Sequence, residues 1–151
     1  MGERTEKFLR LSTVLTGFRR EALLGTGVSS VYLYELDQVL PSGTIDELLL
    51  VNESQANEIE RQSAIANLLD QDPKLGEVVQ RIILLWYTGA WTPFSDAWRA
   101  AYGTSPHDTL RVISTQGYKS GFQWDAAQAH PAGALQEGFG SWSAEPRRRS
   151  L

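Results

Sequence analysis

Apolar residues recur along the first part of the chain at spacings of three and four. Phe8, Leu11, Leu15 and Phe18 form one such stripe, with Glu6, Lys7 and Arg10 on other faces, which predicts an amphipathic helix over about Glu3 to Thr16 stopped by Gly17. A second helical pattern begins near Arg20 and runs through Val28, Val31, Tyr32 and Leu36 until Leu40-Pro41-Ser42-Gly43 breaks it, so the first third reads as a helical hairpin. Thr44 and Glu47 stand in capping-box spacing ahead of a short helix from about Ile45 to Val51. Ser54 to Leu69 has neither Gly nor Pro and reads as a further helix. Asp72-Pro73 then supplies an N-cap followed by a proline suited to a first turn. Leu75, Val78, Val79, Ile82, Leu85 and Trp86 make the broadest apolar stripe, and this helix, ending near Thr88-Gly89, is expected to be the most buried.

The pattern then changes. All five tryptophans and eleven of the fifteen aromatics lie between Trp86 and Trp142, interleaved with seven glycines and three prolines. Phe94 to Tyr102 reads as a short helix and Asp108 to Ser114 alternates, but from Gly117 onward no helical or strand period is present. The fold class is therefore all-α: a small irregular helical domain over residues 1–116, an extended, aromatic-rich, loop-like C-terminal arm over 117–146, and a basic tail over 147–151, together a single structural domain. Aperiodic backbone offers few regular faces against which large rings can pack. Either aromatics such as Trp86, Trp98 and Tyr102 complete the core of the helical part, or the aromatic half anchors another protein, as buried Trp and Tyr do at interfaces. For that second reading the candidate partner-interface residues are Trp86, Tyr87, Trp91, Phe122, Trp124, His130, Pro131, Phe139 and Trp142.

Composition narrows the chemistry. In 151 residues there is no cysteine and only two histidines, His107 and His130. Thiol nucleophiles, disulfides, Cys-ligated zinc and Cys-held iron–sulfur clusters are excluded, and most His-dependent metal or catalytic sites would need both histidines. His107 follows Ser105-Pro106 in a turn-like setting, and Asp125 with His130 lacks a nucleophile in any convincing motif. Gly25 and Gly27 form only a fragment of a dinucleotide loop. The predicted site therefore has no catalytic, cofactor-binding or metal-binding residues. A net charge of -4 argues against nucleic acid as a partner, and Ile82 to Tyr87, the longest strongly apolar run, is too short to be a transmembrane segment. No export-signal pattern opens the chain, and Arg19-Arg20 reads as a helix start rather than a twin-arginine leader.

Three stretches carry a family resemblance: Phe8-Leu-Arg-Leu-Ser-Thr-Val-Leu-Thr-Gly-Phe18, Ile82-Ile-Leu-Leu-Trp-Tyr-Thr-Gly-Ala-Trp91, and Ala129-His-Pro-Ala-Gly133 with Gly138-Phe-Gly-Ser-Trp142. In order and over about residues 8–146 they resemble the small subunit of bacterial membrane-associated, FAD-dependent sugar and polyol dehydrogenases, the sorbitol dehydrogenase small-subunit family. The resemblance implies a helical, cofactor-free, non-catalytic subunit that binds a large flavoprotein of the glucose-methanol-choline type and acts on it in a chaperone-like way, within a heteromeric complex for sugar, polyol or glycoside oxidation. FAD and the catalytic histidine would belong to that partner, and in such complexes a cytochrome c subunit often accepts the electrons. The resemblance implies a periplasmic location, with the cytoplasm as the alternative because the leader pattern is missing. A stand-alone helical adaptor, or a small acid–base enzyme using Asp125 and His130, are the competing functions.

Overall fold

In a computed structural model of the chain, residues 2–113 and 115–122 are described. They form eight helices and one two-stranded ribbon: α1 (Glu3–Thr16), α2 (Arg20–Gly25), α3 (Ser29–Val39), α4 (Thr44–Glu53), α5 (Glu58–Gln71), α6 (Leu75–Thr88), β1 (Ala90–Trp91), α7 (Asp96–Tyr102), β2 (Arg111–Val112) and α8 (Thr115–Ser120). The architecture is all-α. Helix α1 packs against each of α2 to α6, and α6 lies against α1, α5, β1 and α8, so the two strongest apolar stripes of the sequence meet in the middle. Leu75, Val78, Val79, Ile82, Leu85 and Trp86 of α6 are all buried, as are Phe8, Leu9 and Leu11 of α1.

Local signals set several boundaries as expected. Gly17 and Gly89 end α1 and α6 with φ of 76° and 70°, the left-handed conformation in which a Cβ is penalised. Helix α6 begins at Leu75, two residues after the start expected at Pro73, but the Asp72 carboxylate still accepts from Lys74 N at 2.9 Å and Leu75 N at 2.8 Å, filling donors at that end. The α7 helix opens on Ser95, whose Oγ accepts from Trp98 N.

Four expectations are corrected. The helix read from Arg20 to Leu40 is two helices, because Gly27 takes φ 73° and the Thr26 hydroxyl donates to Leu23 O at 2.6 Å, turning the chain between α2 and α3. The Thr44/Glu47 capping box does not form. Gly43, at φ 86°, is the N-cap and Thr44 is a buried helical residue, while the Glu47 carboxylate is engaged by Lys74 Nζ at 3.1 Å. Helix α5 starts at Glu58 rather than Ser54, on a box formed by Asn57 Oδ1 accepting from Glu60 N and Glu60 Oε2 accepting from Ala56 N. Finally, α8 runs across the boundary expected between residues 116 and 117. Its Gly117 lies directly against Gly89, so tertiary seating gives helical form to a segment without helical period. The alternation over Asp108 to Ser114 yields only β2, paired antiparallel with β1 through Ala90↔Val112 and Trp91↔Arg111.

Candidate functional site

Two aromatic clusters lie against α6, one at its C-terminal end and one running back along it to Lys74. In the first, Trp86 stacks with Phe8 at 6.2 Å and meets Tyr32 edge-on at 5.0 Å. Phe122 lies 6.2 Å from Trp86 and stacks on Phe18 at 3.9 Å, with Tyr87 edge-on to Phe122 at 6.1 Å. The Phe122 N–H donates to Trp86 O at 3.1 Å, so the end of the described chain is fastened to the last turn of α6 by backbone and ring together. Burial alone pushes the Tyr32 phenol above its ordinary pKa, which keeps it neutral and leaves it a packing edge.

The second cluster runs through Trp91, Phe94, Trp98 and Tyr102 at centroid spacings of 5.7, 4.0 and 5.0 Å. Arg81 stands 5.5 Å over the Phe94 ring and Lys74 stands 5.8 Å over Tyr102, while Trp98 Nε1 donates to Lys74 O at 2.9 Å. Asp108, 5% exposed, ties this cluster down. Its Oδ1 accepts from Trp91 Nε1 at 2.6 Å and from Phe94 N at 3.2 Å, and its Oδ2 accepts from Arg99 Nε at 2.8 Å. Sequence reasoning missed this carboxylate. Its partners lie 17, 14 and 9 residues away, and no local spacing announces them.

The predicted interface set divides accordingly. Trp86, Trp91 and Phe122 are 1%, 0% and 3% exposed, so the expectation that they face a partner is corrected: this chain's own helices and ribbon cover them. Tyr87 is only partly buried, packed beside Phe18 on the rim of the first cluster. Trp124, His130, Pro131, Phe139 and Trp142, and Asp125 with them, lie outside the described residues. His107 is exposed on the turn after Ser105, whose Oγ accepts from His107 N at 3.2 Å, and its carbonyl accepts from Arg111. Among the described residues no three His, Asp or Glu side chains are grouped to hold a metal ion, and no helix is long and apolar enough to cross a membrane.

The two most distinctive motif segments sit side by side. Leu11-Ser-Thr-Val-Leu-Thr-Gly-Phe18 ends α1, Leu85-Trp-Tyr-Thr-Gly89 ends α6, and Phe18 and Tyr87 from the two ends stand 6.4 Å apart with Phe122 against both. In comparisons with family models, curated proteins and solved structures, the chain matches none.

Proposed function

We propose that the chain is the non-catalytic small subunit of an FAD-dependent sugar, polyol or glycoside dehydrogenase, which binds and stabilises the large flavoprotein of the glucose-methanol-choline type. What supports this reading is the resemblance over the Leu11–Phe18 and Leu85–Gly89 segments, together with the composition. The observation that carries it structurally is that these two segments adjoin, and that Phe122 brings the start of the aromatic, aperiodic half to the same place. The segments that resemble a partner-binding family thus adjoin where the chain passes from its helical body into a sequence with no periodic face of its own. In this reading FAD and the reacting groups belong to the large subunit, a cytochrome c subunit takes up the electrons, and the complex works in the periplasm.

The test is expression of the chain with and without its genomic neighbour. A yellow, FAD-containing partner that co-purifies, and that loses solubility or flavin when this chain is omitted, is the expected result. A colourless monomer in both cases overturns the reading.

A further inference from the structure

The residues that close the aromatic cluster are joined to the body in an unusual way. Helix α8 and the residues after it approach the end of α6 closely through backbone atoms. A Cβ at Gly89 would lie 2.3 Å from Gly117 C and 2.4 Å from both Gly117 O and Tyr118 N, and one at Gly121 would lie 2.5 Å from Tyr87 O. Neither approach leaves room for a Cβ, so the segment is seated closely on the end of α6. Phe122 then enters between Phe18 and Tyr87, its N–H bonds Trp86 O, and Gln116 Nε2 reaches across to Thr26 O at 3.1 Å. The helix so held has six residues, one of them glycine, and is far shorter than the length of about 12 residues at which an isolated helix becomes even marginally stable. It is helical because it is seated.

From this geometry we infer that residues 115–122 form a strap that opens as a unit from an aromatic socket of Phe18, Trp86 and Tyr87 while the helical body stays folded. Opening uncovers these rings. The inference concerns the isolated chain and does not depend on the proposed flavoprotein partner.

Lys119, within α8, is the only Lys or Arg between Arg111 and Arg147, so trypsin reports on the strap by a single cut. Limited digestion of the full chain, followed by intact mass, compares the cut after Lys119 with cuts after Arg81 in α6 and Arg99 in α7. Cleavage of native protein follows the population of the opened form when reclosing is fast. Gly121→Ala, which drives a Cβ into Tyr87 O, and Phe122→Ala, which withdraws the wedge, are each expected to raise the Lys119 rate roughly tenfold, with the Arg81 and Arg99 rates and the helical circular dichroism unchanged. Gln116→Ala, which removes only the bond to Thr26 O, should raise it less. The inference is overturned if the Lys119 rate is unchanged in all three variants. It is equally overturned if that rate rises only in proportion to the Arg81 and Arg99 rates, or with loss of the helical signal, because the segment would then open only with the whole body.

Discussion

Asp108 accepts from an indole N–H, a backbone N–H and a guanidinium at once, and each donor belongs to a different part of the second aromatic cluster. Its removal leaves Trp91 Nε1 and Phe94 N buried without an acceptor, and a buried donor left unmade costs far more than a typical hydrogen bond contributes. Asp108→Ala is therefore expected to destabilise the chain by about 2–4 kcal/mol, measured as a lower urea midpoint. Trp91→Phe, which removes one of these donors while keeping a ring, should cost less, and an equal or larger loss would show that the carboxylate is not the tie. Glycines at helix ends were readable from the sequence because the signal is local: an apolar stripe stops and a residue without Cβ follows. Asp108 was not readable, since a buried carboxylate is defined by donors that come together only in the fold.

The elements divide along the same line. Helix α1 was legible to the residue and the end of α6 likewise, because each carries an apolar stripe and a glycine stop, while α6 starts two residues after the Asp72-Pro73 signal; α2 and α3 merged into one expected helix because their stripes continue in phase across Thr26 to Val28. The start of α5 was missed by four residues, and the Asn57/Glu60 box that sets it gives a direct measurement: Asn57→Ala should lower stability by about 1 kcal/mol, and Asn57→Ser should restore most of it. Helix α1 is further held by charge. Arg4 reaches Asp37 and Asp46, Arg10 reaches Glu53, and Arg20 reaches back to Glu6. Hydrogen bonds from Arg20 and Arg10 hold the Glu6 and Glu53 carboxyls below the usual carboxylate range. A depressed folded-state pKa means stability that is present above the unfolded value, about pH 4.3, and is lost as pH falls through the folded value. The urea midpoint should therefore be insensitive to these two groups between pH 7 and 5 and decline below about pH 4, and Glu53→Gln should flatten part of that decline. Both pairs are partly solvent-exposed, so 0.5 M salt should weaken their contribution at neutral pH.

For the molecule as a whole, the question is which aromatic residues serve the fold of this chain and which serve a partner. The sequence set nine residues together as an interface because it registers that rings are crowded where periodicity ends, and burial cannot be read from crowding. The structure separates out Trp86, Trp91 and Phe122, each closed in by α1, α6, α7 or the ribbon, and leaves Tyr87 on the rim. Two classes of outcome follow. Trp86→Ala and Trp91→Ala each empty a large volume in a packed interior and should cost about 3–5 kcal/mol, seen as loss of cooperative thermal unfolding in the isolated chain and loss of the complex only as a consequence. Replacing Trp124 and Trp142 together by Ala should leave the thermal transition and helical signal of the isolated chain in place while lowering the yield of co-purified flavoprotein, as expected where large rings anchor an interface. If the double variant instead melts like Trp86→Ala, these two tryptophans belong to the fold of the chain. If it binds its partner at full yield with an unchanged melting curve, the aromatic half does not carry the proposed docking.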